Sequence, residues 1–507
     1  MSATPHLPNE VLAQIFGYFE CTLPVKEWWM NEVDVSPVAT LKSLCLTCRA
    51  FRHVAQPLLF RNVIIWGRKD EATLFVKLMK ALIGRPGLGH HVRTFSFGWY
   101  DEYEARNAGL SWPDVFDCMD HKLDLPPRFK AAMRSCCHEA SGPDAAAAAM
   151  VFMPNLQLVD IMALSDDDLL SGMLSGRPDG VWPPSGGDSM QHQEALDGTS
   201  AKKGYANFGL PLLKEIRIQH PGNEMSTDIL DVEGALLHPG VETVRTVGIH
   251  WTADNCTRDW CRDGKSTIRT LELRECIIDD EGLENMFQQC PALESLSIQL
   301  GDARRAFGIG EDEWYFDLRK IANVLQKHGS SLRTLNFHTQ NSEDVVGGHG
   351  GQALRDLTGL RHLAFDKKDF MGSMMQGDTE PFLKDILPPN LETLYLHYDD
   401  MYNPSSYATA ARHKAMEQEL HFVITCGQFP NLREIKLEQH LHDNAPFEYS
   451  IMGWTCKVFT EDLWHRPVST GCARTIIALT REHQRQDIAA SAGTGVGFVS
   501  NSHELAG

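Results

Sequence analysis

One arrangement of apolar and polar positions returns along most of the chain: apolar, two residues, apolar, one residue, apolar. It runs through Val92-x-x-Phe95-x-Phe97, Leu156-x-x-Val159-x-Ile161, Leu213-x-x-Ile216-x-Ile218 and Val244-x-x-Val247-x-Ile249. It continues as Ile268-x-x-Leu271-x-Leu273, Leu293-x-x-Leu296-x-Ile298 and Leu332-x-x-Leu335-x-Phe337. Leu360-x-x-Leu363-x-Phe365, Leu391-x-x-Leu394-x-Leu396 and Leu432-x-x-Ile435-x-Leu437 complete the series. The last two apolar positions of each copy lie two residues apart, the period of a strand with one buried face. Helical spacing fills the gaps. Leu283, Met286, Phe287 and Cys290 form a stripe behind the capping pair Asp279-Asp280; Leu318, Ile321, Ala322 and Leu325 form another, and Met416, Leu420, Val423 and Ile424 a third. From Leu213 onward most copies follow one another at about 24 to 31 residues, with insertions after Leu293 and Leu391. A strand and a helix repeated in this way predict an α/β chain with parallel strands on one side, helices on the other and one core between them.

The first sixty residues read differently. Pro8 and Glu10 suit a first helical turn, one for its missing N–H and the other for the positive end of the helix dipole. Val11, Leu12, Ile15, Phe16 and Phe19 then share one helical face. Ser36-Pro37 predicts a second start, followed by Leu41, Leu44, Cys48, Phe51 and Ala55 at spacings of three or four, with Pro57 ending the run. Helices this short cannot bury all of that apolar surface among themselves, so the rest of the chain or another protein must cover some of it.

Composition narrows the classes. With 43% hydrophobic and 22% charged residues the chain reads as folded rather than disordered. A net charge of -20 disfavours nucleic acid and anionic membranes as partners. Neither a basic export signal at the start nor a run of roughly 18 apolar residues is found, so the expectation is a soluble protein of the cytoplasm or nucleus. Thirteen scattered cysteines then read as reduced thiols.

Candidates for catalysis are weak. Cys45-x-x-Cys48 lies inside an apolar helical run, which favours packing over metal. Cys256 and Cys261 lack a histidine pair, and the glycines around His349 and those of 491–495 lack the features of a phosphate loop. Asp166-Asp167-Asp168 reads as a solvated run, and no Gly-x-Ser-x-Gly elbow occurs. No catalytic residue, metal site or cofactor is therefore assigned, although a site built from distant residues remains a rival reading.

Leu7-Pro8-Asn9-Glu10-Val11-Leu12, Ile15-Phe16, Leu41, Leu44 and Cys48-Arg49-Ala50-Phe51 resemble the F-box family, and Ala55-Gln56-Pro57-Leu58-Leu59-Phe60-Arg61 resembles the way many F-boxes end. The resemblance implies a three-helix unit that binds the Skp-type adaptor of Skp–cullin–F-box ubiquitin ligases. It places Leu7, Pro8, Val11, Ile15 and Phe16, with Leu44, Cys48 and Phe51, at the adaptor. One departure is the insertion Glu20–Val35, with Trp28-Trp29, where the family usually has a few residues. A helical cap on the next domain is the alternative.

The repeated copies resemble leucine-rich repeats, and the combination resembles the F-box/leucine-rich-repeat subfamily. The asparagine or cysteine expected after each strand is mostly missing, with Cys276 the nearest match. The implied fold is a small helical F-box over 1–62 followed by an irregular solenoid over 63–445, strands concave and helices convex. A Gly-, Pro- and Ser-rich loop over 172–209, a cap over 446–488 and a disordered tail over 489–507 complete the expected organisation. In such a solenoid the strand residues between the buried ones face the concave side. Arg274, Gln299, Asn336, His338, Asp366, Tyr395, His397 and Lys436 are thus the candidate target contacts, among neighbours such as Glu272, His362, Thr393, Glu434 and Glu438. The implied role is a non-catalytic target receptor, partnered by adaptor, cullin and an unknown protein. A repeat scaffold without a ligase role is the rival.

Overall fold

A computed structural model describes residues 7–24, 33–65, 70–98, 110–136, 142–162, 169–174, 205–220, 226–254, 266–301, 316–339, 345–346, 351–366, 382–397, 418–439, 453–461 and 474–481. The candidates at Trp28-Trp29, Asp166-Asp168, Cys256, Cys261 and His349, the glycines of 491–495 and the expected tail lie outside these residues.

The chain opens with three helices, α1 (Asn9–Gly17), α2 (Ser36–Thr47) and α3 (Arg49–Arg61). Leu12 and Phe16 of α1 pack with Leu41 and Cys45 of α2 and with Val54, Ala55 and Leu58 of α3 into a core of their own. Four expectations shift. Pro8 stands just before α1, its carbonyl already accepting from the Leu12 N–H at 3.1 Å. Ser36 is the first residue of α2 rather than its cap, the cap position being Val35, and Asp34 Oδ1 just before it accepts from the Ser36 N–H at 2.9 Å. The apolar run from Leu41 to Ala55 is two helices, broken where Cys48 turns extended and its Sγ accepts from the Phe51 N–H at 3.4 Å. Pro57 does not end α3. Burial of Ala55 and Leu58 on either side of it offsets the backbone bond it forgoes.

Contacts divide the chain into two units, residues 1–332 with 339–347, and residues 333–338 with 348–507. In the first unit a parallel sheet runs in the order β1 (Asn62–Ile64), β2 (Thr94–Phe97), β3 (Leu158–Met162), β4 (Glu215–Gln219), then β6 (Thr243–Val247), β8 (Thr270–Ile278) and β9 (Ser295–Leu300). Two short strands, β5 (Thr227–Asp228) and β7 (Ile249–Trp251), pair beside it, and β10 (Phe316–Asp317) pairs with β12 (Val345–Val346). In the second unit β11 (Thr334–His338), β13 (His362–Asp366), β14 (Thr393–His397) and β15 (Glu434–Gln439) are parallel. There β17 (Arg474–Arg481) joins β15 antiparallel, with β16 (Trp454–Glu461) outside it.

Register follows the repeated pattern. Phe95, Val159, Ile216, Val244, Leu271 and Leu296 stand side by side, as do Leu335, Leu363, Leu394 and Ile435 in the second unit. Eight of the parallel strands also begin alike, with one carbonyl of the preceding strand accepting from two successive N–H groups: Arg93, Gln157, Lys214, Glu242 and Arg269, then Arg333, Arg361 and Glu392. Two copies were hidden in the sequence. Val63 pairs with Phe95, so a strand follows α3 directly. Around Val244 the correct frame is Val241-x-x-Val244-x-Thr246, because Thr246, not an apolar residue, pairs with Ile218 and Leu273. Positive-φ Gly248 then releases Ile249–Trp251 into a separate ladder.

Helices cover the apolar side. Phe75 of α4 (Glu71–Gly84) meets Phe97 with ring centroids 5.1 Å apart. The helix Asp280–Gln289 is capped by Asp279, whose Oδ1 accepts from the Gly282 N–H at 2.7 Å. A Cβ at Gly282 would stand 1.9 Å from the Trp251 carbonyl oxygen, so only glycine allows this approach. Leu318–His328 buries Leu318, Ile321, Ala322 and Leu325, as the stripe predicts, and residues 418–425 form the third helix. Both ends of the loop expected over 172–209 are ordered instead, since a helix runs to Leu174 and Phe208 is buried against Phe129; residues 175–204 lie outside the described residues. Among the described residues no helix is long and apolar enough to cross a membrane.

Candidate docking surfaces

Helix α1 presents two faces. Its Leu12 and Phe16 complete the helical core, and Phe16 meets Phe51 edge-on at 5.2 Å. Its other face is apolar and open: Leu7 is 54% exposed, Val11 37%, Ile15 43% and Tyr18 88%, at steps of four, four and three residues. Leu46 at the end of α2 is 71% exposed. A core satisfied from one face leaves this stripe with no packing role inside the unit. The eight residues assigned to the adaptor therefore separate. Leu7, Pro8, Val11 and Ile15 are open; Phe16, Leu44 and Phe51 serve the internal core, and Cys48 caps α3. Tyr18 and Leu46 were missed. Their signal was an apolar or aromatic residue on the polar side of each helical stripe.

On the sheet, the residues between the apolar ones form rows along the other, polar side. In the first unit the middle row reads Ser96, Asp160, Arg217, Arg245, Glu272 and Ser297 across β2 to β9. These groups bind one another. The Ser96 hydroxyl donates to Asp160 at 2.8 Å, and the Arg217 and Arg245 guanidinium groups both donate to Glu215, at 2.7 and 3.0 Å. Arg245 also pairs with Glu272. Arg274 donates to Glu272 at 2.6 Å and to Gln299 at 3.3 Å. Burial lowers Arg274 to about 10 against the opposing pull of Glu272. Burial likewise raises Asp160 to about 7, with the Ser96 hydrogen bond and the Arg217 charge acting the other way. Arg274 and Gln299 are thus buried parts of an internal network, not open contact residues. This corrects their assignment; alternation along a strand names the face a residue is on but not what lies over it.

In the second unit the corresponding rows carry other chemistry. His362, Thr393 and Glu434 begin the strands, Asn336, Tyr395 and Lys436 follow, and His338, Asp366, His397 and Glu438 stand at the far ends. The last four are buried. His397 lies 3.1 Å by Nδ1 from Glu438 Oε1 and 3.0 Å by Nε2 from Asn336 Oδ1. The Tyr395 hydroxyl donates to the same Glu438 oxygen at 2.8 Å, and the rings of His338 and His397 meet edge-on at 4.8 Å. Of the candidate contacts here, Asn336, Tyr395 and Lys436 stay partly exposed, whereas His338, Asp366 and His397, two residues further along the strands, are buried. Register does bring all six together.

Among the described residues no group of three or more His, Cys, Asp or Glu side chains is placed to hold a metal ion. Cys276 and Cys290 are pushed up to about 12 by burial, the setting of inert thiols rather than nucleophiles. Cys45 is buried and Cys48 exposed, both free.

Comparison with known families agrees with the helical part. A family model described as F-box-like matches residues 4–66, which spans α1 to β1. The N-terminal region is therefore an F-box-like domain, followed by a mixed α/β region built on parallel strands. No curated protein matches the chain.

Proposed function

We propose that the protein is the target-recognition subunit of a Skp–cullin–F-box ubiquitin ligase, acting in the cytoplasm or nucleus. The F-box-like domain docks on the Skp-type adaptor through Leu7, Val11, Ile15, Tyr18 and Leu46. The strands that follow are leucine-rich repeats of a solenoid whose polar, concave side holds the target. The subunit itself makes and breaks no bond; it keeps target lysines at high effective concentration near a ubiquitin-charged enzyme.

The observation that carries this reading is the open apolar stripe on α1, beside a helical core already complete without it. Partly exposed Tyr395, between Ala364 and Lys436 in the register, is the best anchor for the target, since tyrosine is enriched among the residues that dominate interface energetics. Affinity purification followed by mass spectrometry tests both halves. Adaptor and cullin should accompany the intact protein and disappear with Leu7→Ala/Pro8→Ala or Ile15→Asp. Tyr395→Ala/Lys436→Ala should keep adaptor and cullin but lose other proteins at least about thirty-fold, the scale of one hot-spot residue. Absence of adaptor and cullin from the intact protein's complexes would leave a repeat scaffold with a helical cap.

A further inference from the structure

Arg217 belongs to the buried stretch of the first unit's polar row, with Ser96 and Asp160 on the strands before it. It occupies the middle of β4, between Asp160 on β3 and Arg245 on β6, where a side chain faces away from the apolar core. Arg245 keeps 18% of its side chain exposed there, but Arg217 keeps 2%. Something lies over it. Part of that cover is the stretch following α1: Arg217 Nη1 donates to the main-chain carbonyl of Pro24 at 2.7 Å, while its Nε is held by Glu215 at 2.7 Å. The same stretch is fastened on its other side. Glu20 pairs with Arg61 of α3 at 3.1 Å, and buried Cys21 donates its thiol to the Asp34 carbonyl at 3.2 Å, just before α2.

A guanidinium that reads a main-chain carbonyl is indifferent to the side chain attached to it. An extended segment of any protein laid along the polar side would offer Arg217 the same acceptor. We propose that Glu20–Pro24 is a built-in occupant of the polar side at β4, latched by Arg217 through the Pro24 carbonyl, so that this rung is closed to other peptide segments while the latch holds. The target part of this statement builds on the proposed receptor role; the latch itself does not. Contact with a target then falls to other, open polar-row positions, and opening the latch would uncover a further peptide-binding rung.

Cys21 reports directly on the latch, because it lies in the latched stretch and is 6% exposed. The experiment measures iodoacetamide alkylation of individual cysteines by peptide mass spectrometry in the full chain. Four proteins are compared: intact, Asp160→Asn, Asp160→Asn with Arg217→Met, and Arg217→Lys. The asparagine avoids stranding a carboxylate beside the truncated arginine, and methionine keeps the packed stem. The double variant should alkylate Cys21 about ten-fold faster or more, the signature of local opening, while Cys45 and Cys118 stay within about two-fold. Arg217→Lys, retaining a donor, should fall between. Equal Cys21 rates in all proteins would overturn the latch. A parallel rise at Cys45 and Cys118 would also overturn it, since Arg217 would then support the whole unit. Co-purification of the adaptor, measured on the same proteins, reports separately on the receptor role.

Discussion

The polar sides of the two units share a backbone plan but differ in what fills it. In the first unit the network couples Arg217, Arg245 and Arg274 to Glu215 and Glu272, with Asp160 beside them. Its charges are spent on one another, and its innermost members are buried. In the second unit His338, Asp366, His397 and Glu438 at the far ends of the strands are buried, and beside them Asn336, Tyr395 and Lys436 remain partly open. One side is a fastening and the other a surface. Equivalent positions in a repeated frame therefore need not share a role, because the neighbouring rung decides whether a polar group is satisfied internally or left to solvent and partners.

Truncation should separate the two most sharply. Arg274→Ala takes one guanidinium away from buried Glu272, and chemical denaturation should show a loss of about 3 kcal/mol, within the range for breaking a buried pair. A loss below about 1 kcal/mol would mean the network adds nothing structural. His397→Ala should cost less, about 2 kcal/mol, because Glu438 keeps the Tyr395 hydroxyl. If it costs more than Arg274→Ala, the contrast between the units is wrong.

A third test uses pH. Burial raises the Asp160 carboxyl to about 7 in the folded chain. Between about pH 4 and 7 the folded state thus holds a proton that the unfolded chain has lost. Stability falls as pH rises through that window, and the cost is complete above about 7. Asp160→Asn should accordingly gain at least about 1–2 kcal/mol on the intact protein on going from pH 4 to pH 8. A pH-independent difference between the two would refute it. The smallest effect is expected where the units agree. The exposed pairs Lys214–Glu242 in the first and Arg361–Glu392 in the second link the starts of adjacent strands, and Lys214→Ala or Arg361→Ala should each change stability by about 0.5 kcal/mol or less.

Much of the fold was legible from the spacing of apolar residues, because burial of one strand face imposes a period of two whatever the neighbours are. That signal failed where burial was achieved by a residue of the other class. Thr246 takes an apolar position with its hydroxyl buried and without a hydrogen-bond partner among the described residues, and it concealed the true frame of β6. The short strand after α3 was masked in the same way, by the helical residues running into it. At the candidate sites the pattern identified faces but not depth. Phe16 and Ile15 are neighbours in sequence with like hydropathy, yet one is core and the other open.

From sequence alone came the helical opening with its F-box-like motif, the strand-and-helix alternation and the side of each strand a residue occupies. These depend on local periodicity and on residue types at fixed offsets, which a linear pattern carries in full. Only the tertiary structure decided which polar groups are consumed by one another, which apolar ones stay open on α1, and that Arg217 reaches a carbonyl 193 residues earlier in the chain. Those outcomes depend on register and on what lies across each position. Both are fixed by long-range packing, which no local window of sequence contains.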